Sequence, residues 1–292
     1  MERRRLMRRD SQYYGQVHVG TPSVSYNVII DTGSSDFLLA TSPCEAGCEP
    51  VTPIYHPSLS SSSVASSQDF QVTYGTGAAR GVLVADTVSF GGFTLEEQTF
   101  AACYNLSGIL QDDISGLLGL GWQPLATSHA LPFVQALWEK GSLEHPVFGF
   151  AFARWNGNST ALDHPMPGGL LTIGDVDHHL FEGELNWLPS SQSYWQVELQ
   201  SMSVMGTVLD ISAEQVTIDT TKVLISFTFG NITYPMNTRD FNNGATTSSG
   251  PGNERCIGAV FVLSDMHGKG RWIFGDAFLK NVYSAFRFDP PP

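Results

Sequence analysis

The hydrophobic pattern along the chain is that of short strands. Gln16-Val17-His18-Val19, Ser25–Ile30, Gly81–Phe90, Thr94–Ala102 and Ile225–Tyr234 are runs rich in Val, Phe, Tyr and Thr. Such runs suit a pleated, half-buried surface. Turn signals separate them, among them Gly20-Thr21-Pro22, Gly91-Gly92 and Asn243-Gly244. One segment has a helical pattern. Leu131–Lys140 places Phe133, Val134, Leu137 and Trp138 on one face, and Gly141 follows as a stop. Ser58–Ser67 is serine-rich and predicts a surface loop. The expected fold class is therefore mostly β, with few helices.

Composition narrows the class. The chain has 292 residues, enough for about two domains. Charged residues are 15% of it, and 18 Phe, 9 Tyr and 6 Trp supply material for a large core. Lys and Arg total 15 against 28 Asp and Glu. Five of those basic residues and two of the acidic ones lie in residues 1–10, so the rest of the chain holds 10 against 26, a balance of −16. That field repels phosphate backbones, and no nucleic-acid partner is expected. No uncharged apolar run approaches 18 residues, so no membrane span is expected.

The candidate chemistry begins where an apolar strand runs into an acid. Val28-Ile29-Ile30 leads to Asp31-Thr32-Gly33-Ser34-Ser35. A carboxylate at the end of a buried strand needs hydrogen-bond donors. Gly33 lets backbone N–H groups approach it, and Ser34 offers a hydroxyl. A second such strand is Val216-Thr217-Ile218-Asp219-Thr220-Thr221. Each acid is followed at a distance by two apolar residues and a glycine: Leu117-Leu118-Gly119 after the first, Ile273-Phe274-Gly275 after the second. The chain thus carries a degenerate internal repeat with one acid per half. Two-fold symmetry would bring the acids together between the halves.

These residues resemble the pepsin-like aspartic proteases, in a style close to the secreted fungal members. Tyr14-Gly15-x-Val17-x-Val19-Gly20-Thr21-Pro22 is similar to the family's first hairpin, and Asp31-Thr32-Gly33-Ser34-Ser35 to its first catalytic motif. Tyr74-Gly75-Thr76-Gly77 resembles the flap that closes over a bound peptide. Trp272–Asp276, continuing to Tyr283, resembles the C-terminal signature. The resemblance implies a bilobal β fold and an endopeptidase acting on extended peptide or protein substrates, with no metal or cofactor. Asp31 and Asp219 would share one proton, because close carboxylates cannot both ionise. The ionised partner would activate a water and the protonated one would donate to the scissile carbonyl. Gly33, Ser34, Tyr74, Gly75, Thr76 and Thr220 would support substrate or acid. A monomer is expected.

The repeat also exposes a deficit. Asp31 to Gly119 spans 88 positions, whereas Asp219 to Gly275 spans 56, which is 32 fewer. The break falls after Thr220, where the family has a glycine and this chain has Thr221. A shortened C-terminal lobe is therefore expected, lacking a segment after residue 220 and stripped of cover over Leu224–Phe229. Asp31 is expected in a well-formed turn and Asp219 in a distorted one. Cys256 resembles one half of a family disulfide whose partner would lie in the missing stretch. Leu38 stands where many relatives carry a tryptophan that holds the flap tyrosine, and it has no donor to offer. The competing expectation is an impaired or inactive homologue that at most binds peptides.

The remaining signals are local. Residues 1–10 predict a solvated basic tail, 11–185 an N-terminal lobe with flap and connecting strands, and 186–292 the C-terminal lobe. No apolar stretch follows the basic start, so it is not a complete signal peptide. Cys44 and Cys48 flank a glycine-containing turn and suit a small disulfide loop better than a metal site, since no second pair completes one. Cys103 and Cys256 have no evident local partner. Asn-x-Ser/Thr sequons at Asn105, Asn158 and Asn231 are glycosylation candidates. The expected location is secreted, extracellular or vacuolar. His178-His179 beside Asp175 and Asp177 predicts a polar turn rather than a metal site.

Overall fold

The computed structural model describes residues 2–9, 12–48, 53–75, 77–110, 113–154, 166–190, 192–209, 224–246, 255–258 and 273–289. Asp219, Thr220, Thr76 and Asn158 lie outside these residues. The chain divides into two compact units. The first comprises residues 1–177, 190–196 and 285–292, and the second comprises 178–189 and 197–284. The first unit thus ends eight residues before the expected boundary at 185, and it reclaims the C-terminal residues.

In the first unit β1 (Glu2–Arg9), β2 (Gln12–Val19), β3 (Val24–Asp31), β4 (Phe37–Ala40), β5 (Val64–Thr73), β6 (Ala78–Phe90), β7 (Phe93–Asn105) and β8 (Gly116–Gly119) are followed by helix α1 (Phe133–Glu139), β9 (Val147–Phe152) and β10 (Met166–Ile173). In the second come β11 (Ser201–Val204), β12 (Thr207–Leu209), β13 (Ile225–Phe229), β14 (Ile232–Met236), α2 (Thr238–Phe241), β15 (Asn242–Thr246), β16 (Arg255–Gly258) and α3 (Asp276–Leu279). The final strand, β17 (Ser284–Arg287), pairs within the sheet of the first unit.

That sheet has the order β17-β9-β10-β1-β2-β3-β8-β4-β7-β6-β5. The basic N-terminal segment is therefore a strand rather than a tail, with Arg4 opposite Leu171 and Met7 opposite Tyr14. Arginine is a poor advertisement for a strand. The ladder is made by backbone groups, however, and both β10 and β2 have N–H and C=O groups to satisfy. β3 and β6 bury one face: Tyr26 and Val28 are buried in β3, and Val84, Val88 and Phe90 in β6. They join Phe100, Leu118, Phe133, Phe148 and Leu171 in one core. Helix α1 ends as its sequence predicts. Gly141 takes φ +68°, its N–H bonds Trp138 O, and Ser142 N–H bonds Leu137 O, which closes the last turn.

The serine-rich segment is more than a loop. Ser66 and Ser67 belong to β5, while Ser62 is tied to a buried carboxylate in β6. Asp86 is 1% exposed and accepts hydrogen bonds from Tyr55 Oη (2.7 Å), Ser62 Oγ (2.6 Å) and Thr87 N–H (2.8 Å). Burial, together with the neighbouring Asp86, holds the Tyr26 phenol up at about 12 and keeps it protonated. Replacing Asp86 with Ala takes the acceptor from Thr87 N–H, while the Tyr55 and Ser62 hydroxyls keep Ser63 Oγ (3.0 Å) and Thr21 Oγ1 (2.8 Å) as acceptors. The Asp86→Ala variant should lose about 1–2 kcal/mol in urea unfolding, and an unchanged midpoint would show that the knot is dispensable.

In the second unit the run expected over Ile225–Tyr234 is a hairpin, β13–β14, turned at Gly230-Asn231, both with positive φ. The local sheet order is β12-β11-β13-β14. The expectation of uncovered strands holds only in part. Ile225, Phe227 and Phe229 are buried against Met202, Met236, Phe241 and Phe278. Leu224, Met205 and Val208 are each at least 60% exposed. The inner face of β13 keeps its cover because Phe278 of α3 packs on Phe227 and Phe229, and the exposed residues collect at the end of the sheet where Met205 N–H bonds Leu224 O.

Candidate active site

Asp31 ends β3, and the chain turns back on its carboxylate. Gly33 N–H donates to Oδ1 at 2.8 Å and Ser34 Oγ–H donates to Oδ2 at 2.6 Å. Both oxygens are thus engaged by residues two and three positions on, which fixes the plane of the carboxyl group. Asp31 is half-buried, Gly33 exposed and Ser34 buried.

A parallel strand holds this turn from the side. In β8, Gly119 lies opposite Asp31, and Leu120 N–H bonds Asp31 O at 2.7 Å. Gly119 N–H then reaches Asp36 O, and Gly121 N–H reaches Ser34 O. A Cβ on Gly119 would lie 2.6 Å from the Ser35 carbonyl carbon, so only glycine lets the two backbones meet. The motif Gly116–Gly121 is therefore a mould for the acid's turn. Asp36 belongs to this site too, although sequence reasoning missed it. It is 3% exposed, and its carboxylate accepts N–H groups from Thr127 (3.0 Å) and Ser128 (2.9 Å), drawing that loop against the turn. The signal available was an acid immediately before the apolar run Phe37–Ala40.

The hairpin β5–β6 carries Tyr74, Gly75 and Gly77 at its tip, where Tyr74 N–H bonds Gly77 O at 2.7 Å. Tyr74 packs against the apolar cluster that contains Leu38, Phe70, Leu106 and Ile109. Its hydroxyl is buried and has no hydrogen-bond partner among the described residues. Leu38, fully buried in the same cluster, has no donor to give. Burial first, then the carboxylates of Asp36 and Asp31, push the Tyr74 phenol well above its ordinary value. An unpaired buried hydroxyl is a cost that phenylalanine avoids. Tyr74→Phe should leave unfolding stability unchanged or raise it by up to about 1 kcal/mol. A loss larger than that would reveal a partner for the hydroxyl.

The other predicted positions separate cleanly. Cys44 and Cys48 form a disulfide. Cys103 is a free, buried thiol that burial and then Asp36 push far up, so it stays protonated. Cys256 falls in β16. Asn105 ends β7, and Asn231 is exposed at a hairpin tip. His178 and His179 sit in a turn. No helix among the described residues is long and apolar enough to cross a membrane.

The chain is similar in sequence to known proteins. The family of eukaryotic aspartyl proteases matches the chain twice, over residues 12–225 and again over 216–291. The two matches meet where Asp219 lies and where the repeat is short. Major aspartyl peptidase 1 of Cryptococcus neoformans is 32% identical over 333 residues, covering 96% of this chain and 67% of that protein. Cathepsin E of Rattus norvegicus is 30% identical over 318 residues, covering 95% and 77%, and Pepsin-2B of Gadus morhua is 28% identical over 318 residues, covering 95% and 93%. Alignments of 333 and 318 positions are longer than the 292 residues available, so at least 41 and 26 of their positions have no residue of this chain opposite them. With family matches that together run from residue 12 to residue 291, the chain belongs to the eukaryotic aspartyl proteases.

Proposed function

We propose that the chain is built to hydrolyse peptide bonds through a water activated by Asp31 and Asp219. The observation that carries this is the Asp31 turn, in which one backbone N–H and one hydroxyl hold a half-buried carboxylate in a fixed plane. Asp219 would supply the second carboxylate, with Thr220 in support. One of the pair, ionised, takes a proton from the water; the other, protonated, donates to the carbonyl oxygen as the tetrahedral centre forms. Gly33 and Ser34 orient the first acid. Tyr74, Gly75 and Thr76 would close over the bound peptide. Peptides and proteins are the proposed substrates, taken up by a monomer.

Such a dyad needs one shared proton, so activity falls as pH rises and both carboxylates ionise. A pH profile of peptide cleavage tests this: the optimum should be acidic, with little turnover at neutral pH. A neutral or alkaline optimum would count against the pair. A secreted or vacuolar location is proposed from the Cys44–Cys48 disulfide, which suits an oxidising compartment, and from the sequons at Asn105, Asn158 and Asn231.

A second reading has its own observation. The family match breaks at residues 216–225, beside Asp219. A chain interrupted there would keep the Asp31 half of the site and bind peptides with little or no turnover.

A further inference from the structure

The flap tip has a support that its own hairpin does not provide. Ala78 N–H, at the start of β6, donates to Ser107 O at 3.0 Å. Gly77 is pressed onto the same turn, since a Cβ there would lie 2.1 Å from Ser107 O and 2.8 Å from the Gly108 carbonyl carbon. The turn Leu106–Ile109 is closed by Ile109 N–H to Leu106 O. Its shape is set by Asn105, whose Oδ1 accepts Ser107 N–H at 3.2 Å and Ser107 Oγ–H at 2.8 Å.

Behind the turn stands the loop closed by Cys44–Cys48. Glu45 N–H donates to Tyr104 O at 2.7 Å, and Leu106 N–H donates to Ala46 O at 2.9 Å. Gly47, at φ +73°, approaches so closely that a Cβ would lie 2.5 Å from the Leu106 carbonyl carbon. Cys48, Leu106 and Tyr74 also share one apolar cluster. A continuous set of contacts therefore runs from the disulfide loop, through 104–108, to the flap.

We propose that the Cys44–Cys48 loop and the Leu106–Gly108 turn brace the flap from behind, with Asn105 as the positioning residue that holds Ser107 O in place for Ala78. The brace bears on the proposed protease and, in taking Tyr74–Gly77 as its flap, rests on that reading. Asn105 touches no substrate; it acts through Ser107. Its carboxamide oxygen is the group required, so aspartate replaces it and alanine does not.

Amide hydrogen exchange on the full 292-residue chain tests this without needing turnover. Asn105→Ala should speed exchange at Ala78 about fivefold to tenfold, as expected when one hydrogen bond's support is lost. Asn105→Asp should restore parental exchange. The double change Cys44→Ser with Cys48→Ser should speed Ala78 likewise, while Leu120, which bonds Asp31 O, stays as slow as in the parent. Parental protection at Ala78 in folded Asn105→Ala would overturn the brace, whatever the cysteine variant does. So would an Asn105→Asp variant as fast as Asn105→Ala. A chain that shows the expected exchange and no cleavage would retain the brace and lose the proposed activity. A cleaving chain with unchanged exchange would do the reverse.

Discussion

The 292-residue chain is expected to cleave peptides at least about a hundredfold more slowly than a version carrying, after Thr220, the corresponding residues of the cryptococcal relative. The expectation follows from where the deficit lies. The first acid is held by a turn of its own, by a parallel strand and by a loop drawn in through Asp36. The same span in the second half is 32 residues shorter, and we place the missing stretch immediately after the acid's threonine as a proposal. Positioning at a reacting centre is demanding, and a displacement of about 1 Å can cost roughly a hundredfold in rate. The exposed Leu224, Met205 and Val208 lie at the end of the sheet that leads out of this break. The longer version should also be less prone to association, because such a patch would be covered. Peptide cleavage by the two proteins at equal concentration and acid pH checks the first expectation, and light scattering checks the second. Equal rates would show that the missing stretch is dispensable.

Asp31→Asn, made in the longer version, should lower turnover by about a thousandfold or more, in the upper range for loss of a proton-transfer group. The fold should hardly notice. Asparagine keeps an oxygen for Gly33 N–H, and Ser34 can rotate to accept from the new amide, so about 1 kcal/mol of stability is at stake. Peptide binding should persist. Turnover near the parent's level would remove Asp31 from the mechanism.

What was legible in the sequence was local. The Asp31 turn closes between residues two and three apart, so Asp-Thr-Gly-Ser states its own hydrogen bonds. The disulfide spans four positions, and the helix stop at Gly141 lies within one turn. The distant partnerships were hidden. Asp36 bonds residues 91 and 92 positions away, and Asp86 gathers Tyr55 from 31 positions off. Nothing in an acid's immediate neighbours reports such partners. Strand β1 was missed for a different reason: its pairing uses backbone groups, which five arginines neither advertise nor forbid. Repeat arithmetic, by contrast, works across long separations: it shows a deficit of 32 residues in the second half, from which a missing stretch after Thr220 is expected.

If Asp31 and Asp219 work as one unit, their effects on turnover cannot be independent. Single-turnover cleavage of a peptide at acid pH should therefore be measured for the longer version and for its Asp31→Asn, Asp219→Asn and doubly substituted forms. Residues that act as a unit are strongly non-additive. Each single change should cost about as much as both together. Near-parental turnover in Asp219→Asn, or losses that multiply in the double variant, would show that the two carboxylates do not share one task.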